Sequence, residues 1–188
     1  INISKVFLDK EYPINNFNGT VNIKNSEILD LNLNSSFDDQ KRIAMTIQRN
    51  SGEKITTFYS DYAKPIVRKY KFIKGFEEGA LDFYSIQKNG VSSSQLKIYD
   101  FKLKKLPVLT KILTLASLQG IADILSGEGI RFNEFEMKFN NKKELMTIEE
   151  IYAIGPAISI LMEGYIQKNE LVSLRGTLVP ATTINKAI

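Results

Sequence analysis

The chain has 188 residues and a hydrophobic content of 43%, which predicts one folded domain and excludes a disordered segment. It contains no cysteine and no histidine, so disulfides, thiolate chemistry, histidine-dependent triads and the commonest transition-metal ligands are excluded. The formal net charge of +4 is compatible with anionic lipid or nucleic acid and requires neither.

The first sixty residues predict a meander of antiparallel strands. Apolar and polar residues alternate with period two in runs that end at polar turns such as Asn25-Ser26, the pattern of half-buried strands. These strands are predicted at residues 2–9, 14–24, 27–36, 41–49 and 53–60.

The alternation stops at residues 61–70, where helical spacing predicts a short helix with Pro65 near its start. Sheet resumes afterwards, and Asn89-Gly90 favours a tight hairpin turn. The strands on either side of this turn are predicted at residues 75–87 and 94–103.

Residues 106–126 predict one long helix with Pro107 in its first turn. Chiefly Lys111, Gln119 and Asp123 are polar enough to face water. The rest of the helix surface is apolar and must pack against other elements on several sides. Two roles remain open for the helix, ordinary core packing and a gating element that can move aside. Gly120 lies inside this predicted helix, where either close packing or a flex point explains a glycine.

Four further strands are predicted after the helix break at Gly127-Glu128-Gly129, at residues 130–140, 144–154, 158–168 and 170–180. Pairing of the last two strands could align two apolar sets on one face. These sets are Ile158, Ile160 and Ile166, and Val172, Leu174 and Leu178. The pattern fits one mostly β domain over residues 1–188, either an irregular extended sheet or a compact sandwich.

Residues 115–130, which read LASLQGIADILSGEGI, resemble the AsmA-like C-terminal region of the YhdP group of proteins. The resemblance continues through residues 155–157 and 174–180 and covers residues 106–188, whereas residues 1–105 agree more loosely. The residues that match the family pattern are Ser117, Gly120, Ser126, Gly127, Gly129, Gly155, Pro156, Gly164, Arg175, Gly176 and Pro180.

The resemblance implies that the chain is an excerpt of a longer protein, a periplasmic part anchored in the inner membrane of a Gram-negative envelope. It implies an extended, curved and open antiparallel sheet, a trough whose apolar inner face packs against the long helix. Such relatives are thought to move phospholipid between the two membranes and to support the outer permeability barrier. The expected partner is therefore phospholipid or another acyl lipid, with membranes reached through regions outside this chain.

The expected groove residues lie on the long helix and the last two strands. They are Leu109, Ile112, Leu113, Ala116, Ile121, Leu125, Ile158, Ile160, Ile166, Val172, Leu174 and Leu178. The alternative is an envelope scaffold, or outer-membrane assembly factor, that binds protein partners through an edge strand and carries no lipid.

Charged and aromatic clusters do not predict an enzyme, a metal site, a cofactor or a nucleic-acid interface. In the pairs Glu77-Glu78 and Glu149-Glu150, strand neighbours are expected to point to opposite faces, and Asp38-Asp39 offers too few cation ligands. A basic collar at residues 102–105 could meet anionic head groups or be a solvated strand end. Aromatic residues lie near basic ones at residues 59–72, without the signature of an RNA-binding module.

Overall fold

In the computed structural model, which describes residues 1–8, 11–37, 40–69, 75–105, 107–115, 118–167 and 171–181, the described strands form one antiparallel sheet. Eleven strands lie side by side in chain order. They are β1 (Asn2–Phe7), β2 (Pro13–Lys24), β3 (Glu27–Phe37), β4 (Arg42–Asn50), β5 (Glu53–Ser60), β6 (Phe76–Lys88), β7 (Val91–Leu103), β8 (Ile130–Lys142), β9 (Leu145–Ile154), β10 (Ile158–Gln167) and β11 (Leu171–Pro180). The sheet is open, with β1 and β11 at its edges, which confirms the mostly β, extended antiparallel fold.

Tight turns join the strands at one end of the sheet. At Asn25-Ser26 and Asn89-Gly90 both residues have positive φ, between 50° and 75°, the geometry that two-residue hairpins require. We call this the turn end of the sheet. The predicted hairpin at Asn89-Gly90 is confirmed.

The three helices of the described residues lie at the opposite end, which we call the helix end. Helix α1 (Ala63–Lys69) joins β5 to β6, and α2 (Pro107–Leu115) and α3 (Gln119–Ser126) join β7 to β8. The single long helix over residues 106–126 is therefore wrong. The backbone leaves helical geometry at Leu118, whose φ is −101° and ψ 45°.

The break lets both halves of the predicted helix bury an apolar stripe. Leu113 of α2 and Ala122 and Leu125 of α3 are fully buried, and α2 and α3 pack against each other. A straight helix of about 30 Å that is apolar on most sides would leave one side in water. Gly120 consequently lies in the first turn of α3, exposed, where an added Cβ would have no neighbour within 4 Å; the explanation of this glycine by close packing was wrong.

The main core lies at the helix end, on the face of the sheet that the helices cover. We call this the inner face and the opposite one the outer face. Phe101 stacks between Phe76 and Phe132, with ring centroids 5.3 Å apart on both sides. Backbone irregularities at Gly79 (φ 80°) and Asp100 (φ 50°) interrupt the alternation there, so that Phe101 and Ile98, three residues apart, belong to one core.

Burial farther from the helices indicates that the sheet curls towards its inner face. Leu31, Ile47, Phe139 and Ile148 are buried, although none belongs to the cluster that contains the helices. A flat sheet would leave an uncovered face in water, and curvature of the sheet around these side chains would account for their burial. Four register irregularities in the sheet are features that bend strands.

Candidate functional site

Eight apolar side chains form an unbroken row across the inner face, and we call it the apolar row. Each one is the register partner of the next, so the row runs from β3 to β10 perpendicular to the strands. Its members are Leu33, Met45, Phe58, Phe83, Leu96, Met137, Ile151 and Met162. With strands about 4.8 Å apart, the row spans about 34 Å.

The apolar row is more exposed than the rows on either side of it. All eight members are half-buried, whereas Ile43, Leu81 and Ile98 on the helix side and Ile47 and Phe139 on the turn side are buried. The row therefore offers an apolar strip that is more accessible than the rows beside it. Glycines stand opposite its two ends, Gly19 beside Leu33 and Gly176 beside Met162, so no side chain closes it there.

The predicted alignment of the last two strands is confirmed. Ile160 stands opposite Leu178 and Ile166 opposite Val172, while Leu174 faces Gly164. All of these positions lie on the inner face and continue it beyond the apolar row. Ile158, opposite Pro180, is fully buried and packs in the helix-end core, so its assignment to an accessible groove surface was wrong.

The helix residues expected in the groove are mainly core where the structure describes them. Leu113 and Leu125 are fully buried and Ile121 is half-buried; Leu109, Ile112 and Ala116 lie outside the part of the chain whose side chains are described. The exposed apolar residues of the helices are instead Leu115, at 77% exposure, and Ile124. This exposure differs from the expectation that chiefly Lys111, Gln119 and Asp123 face water.

Residues of the family pattern occupy turns and close backbone contacts. An added Cβ at Gly164 or Gly176 would lie 2.0 or 2.1 Å from a carbonyl oxygen of the neighbouring strand. At Gly129 and Gly155 an added Cβ would also come too close to a backbone carbonyl oxygen. Gly127 follows Ser126 and ends α3, Pro156 lies in the β9–β10 turn and Pro180 ends β11. Arg175 Nε donates to Glu163 at 2.7 Å on the outer face, and Ser117 lies outside the described residues.

A buried carboxylate organises the outer face at β7–β9. Glu136 accepts hydrogen bonds from Gln95 Nε2 at 2.5 Å and Tyr152 Oη at 3.0 Å, and the ammonium groups of Lys97 and Lys138 lie 3.3 Å away. Burial alone would raise the pKa of Glu136, but these four partners outweigh it and lower the pKa to about 2. Burial and the bonds to two carboxylates raise the pKa of Tyr152.

This network predicts a specific loss of stability in acid. Because the folded pKa of Glu136 lies below its ordinary value of 4.5, the unfolded state binds more protons between these values. The stabilisation is complete above about pH 4.5 and is lost as the pH falls towards 2, by at most about 3 kcal/mol. Urea unfolding of the protein and of Glu136→Gln at several pH values measures it. The stability difference between the two should shrink across this window, and parallel curves would contradict the assignment.

The carboxylates of the two acidic pairs contact neighbouring polar and basic side chains. Glu149 and Glu150 lie at a β-bulge opposite Lys138, so both reach outer-face neighbours, Asn140 and Lys138. The expectation that they point to opposite faces was wrong because the bulge cancels one step of the alternation. Glu77 and Glu78 are engaged in ion pairs with Lys104 and Arg131.

The other charged and aromatic candidates are engaged in the structure or lie outside it. Lys104 of the basic collar pairs with Glu77, while Lys102 is half-buried and Lys105 exposed. Tyr59 donates to Asp61, and Tyr62 packs edge-on against Phe37. Asp38, Asp39, Tyr70 and Phe72 lie outside the described residues. Within the described ranges no group of three or more acidic side chains could hold a metal ion.

No described helix has the length and apolar character needed to cross a membrane. Comparison with known proteins gives no match to a family model, a curated protein or a solved structure.

Proposed function

We propose that the chain is a non-enzymatic segment that holds the acyl chains of phospholipid along its inner face. The apolar row is the observation that carries this proposal. A soluble sheet normally covers such a strip with other elements of its core. Among the described residues, the helices cover the helix end, where Phe58, Phe83 and Leu96 of the row also border the core, and eight consecutive strands keep large apolar side chains half-open to solvent.

The dimensions of the apolar row suit hydrocarbon chains. The hydrocarbon core of a bilayer is about 30 Å thick, so one acyl chain is about 15 Å long, and the row could take two chains end to end. Each methylene removed from water contributes about 0.8 kcal/mol. An open trough would also let a lipid enter sideways with its head group still in water.

The wider setting of the proposal rests on the resemblance to AsmA-like proteins. The segment would be the periplasmic part of an inner-membrane-anchored protein that conducts phospholipid between the inner and outer membranes and so supports the outer permeability barrier. An extended, open sheet with an apolar inner face fits that role. The full burial of Leu113 and Leu125 favours core packing over gating for the helix pair.

Site-specific photocrosslinking tests the lining. A photoreactive amino acid at Met45 or Met137 should capture lipid in cells, because both side chains lie on the apolar row. The same group at Thr46 or Glu163, on the outer face, should not. Capture at the outer positions with none at Met45 and Met137 would overturn the proposal.

A second candidate function is an envelope scaffold that binds protein partners through an edge strand. The observation in its favour is β11, which lacks a strand on one side among the described residues and exposes 63% of Val172. Edge strands of this kind accept an added strand from a partner. The two functions are distinguished by the phospholipid that co-purifies with the chain, measured by native mass spectrometry and by extraction of the denatured protein. A scaffold would carry none.

A further inference from the structure

The inner face contains a polar region on β5–β7, between the apolar row and the turn end. It consists of two short rows, Lys54–Gln87–Ser92 and Thr56–Ser85–Ser94, in which each residue is the register partner of the next. We call these six residues the polar window. Farther along the same rows, Asn141 of β8 is still polar, whereas Phe139 of β8, Met146 and Ile148 of β9 and Ile166 of β10 are apolar, so the polarity is local.

Two cations stand side by side at the edge of the polar window. Arg49 of β4 and Lys54 of β5 are direct register partners. Among the described residues of β4–β11, they are the charged side chains on the part of the inner face between the irregularities of β6–β7 and the turn end. Like charges directly opposite each other in an antiparallel pair are destabilising. An anion bound between them would remove this repulsion.

The protein itself supplies one carboxylate to this pair of cations. Arg49 Nη2 lies 3.1 Å from Glu27, a largely exposed residue, and Arg49 Nε donates to the carbonyl oxygen of Ile28. Lys54 is half-buried, and among the described residues no ion pair or hydrogen bond engages its ammonium group. Lys54 is therefore the cation with unused capacity for an anion.

Polarity falls in steps along the strands, in the order of the parts of a phospholipid. On β5 and β6 the inner-face sequence runs from Lys54 and Gln87, through Thr56 and Ser85, to Phe58 and Phe83 of the apolar row. Successive inner-face residues on a strand are about 6.7 Å apart. A phosphate group, an ester-linked glycerol and an acyl chain follow one another over a similar distance.

We propose that Lys54, with Arg49, binds the phosphate of a phospholipid whose glycerol lies over the hydroxyl groups of the polar window and whose acyl chains follow the apolar row. This inference rests on the proposed function and names its substrate class. Ser85 and Ser94 share a buried hydrogen bond of 2.9 Å, so one of the two hydroxyl groups keeps a proton to donate. Ammonium and guanidinium groups bind phosphate through charge-assisted hydrogen bonds.

Binding of three probes to the purified full chain tests the head-group site. The probes are a short-chain phosphatidylglycerol, the diacylglycerol with the same chains, and inorganic phosphate. Lys54→Gln should weaken phosphatidylglycerol binding about tenfold, the effect of one lost charged hydrogen bond, and leave diacylglycerol binding unchanged. Lys54→Arg should keep the wild-type affinity. Lys88→Gln, an equal loss of charge on the outer face of β6, should have no effect.

The outcomes separate this inference from the function on which it rests. Equal phosphatidylglycerol affinity in Lys54→Gln and wild type would overturn the head-group site, while undiminished diacylglycerol binding would still support the acyl surface. If wild type binds neither lipid, both proposals fall. If inorganic phosphate alone binds as tightly as phosphatidylglycerol, the site is a general anion site and the phospholipid assignment is wrong.

Discussion

Phe83→Glu should abolish acyl-lipid binding, reducing the affinity for phospholipid by more than about a hundredfold. Phe83 occupies the centre of the apolar row, between Phe58 and Leu96. A carboxylate at this position would have to lose water against hydrocarbon, which costs several kcal/mol for an unpaired ion. The measurement is the amount of phospholipid that co-purifies with the protein, determined by native mass spectrometry and by extraction of the denatured chain.

Tyr84→Glu is the matched control, because it introduces the same charge one residue further along the same strand. Tyr84 points to the outer face and is 42% exposed, so the added carboxylate stays in water. The control should retain wild-type lipid content. Equal lipid loss in both variants, or none in either, would show that the inner face is not the binding surface.

A second variant separates lost binding from lost folding. Phe83 also packs against the helix-end core, whereas Met45 lies two strands away and belongs to neither core cluster. Met45→Glu should therefore remove bound lipid with a smaller loss of stability. A folded Met45→Glu protein that keeps its full lipid content would contradict the proposed function.

The sequence predicted the strands well because their signal is local. Alternation and turn residues such as Asn89-Gly90 are read within a few positions, and each predicted strand is found in the structure with small differences at its ends. The break between α2 and α3 was missed because Leu113, Ile121 and Leu125 keep helical spacing across it, with no proline there to end the helix. What separates one helix from two is burial against the sheet, which is not a local property.

The apolar row was missed because it depends on register. Met45, Phe58 and Phe83 each occupy an ordinary position in an alternating strand, and nothing in one strand shows which residue will stand beside it. Every turn length and every bulge adds a shift, as at Glu149 and Glu150, where one extra residue reverses the expected face. The aligned sets on β10 and β11 were predicted because a single short turn joins them.

Phe101→Ala should have the largest effect on stability, lowering the free energy of unfolding by about 3–5 kcal/mol, the usual range for truncating a buried phenylalanine. Phe101 is 2% exposed and fills the space between two stacked rings. Its removal would leave a cavity that Phe76 and Phe132 cannot fill without giving up their other contacts. Urea unfolding measures the loss, and Ile124→Ala, at an exposed apolar residue of α3, is the control with an expected change below about 1 kcal/mol.

The same variant tests whether the core and the apolar row are separate structures. Phe101 packs at the helix end, and of the apolar row Phe58, Phe83 and Leu96 border that core cluster while the other five members do not, so the truncation should leave lipid binding intact wherever the protein remains folded. Lipid content is therefore compared at low temperature, where the Phe101→Ala protein is folded. If that protein is folded but has lost its lipid, the helix-end core and the binding surface form one unit. Retention of lipid would instead mean that the helices stabilise the trough from one end, while the strands alone provide the surface that holds the acyl chains.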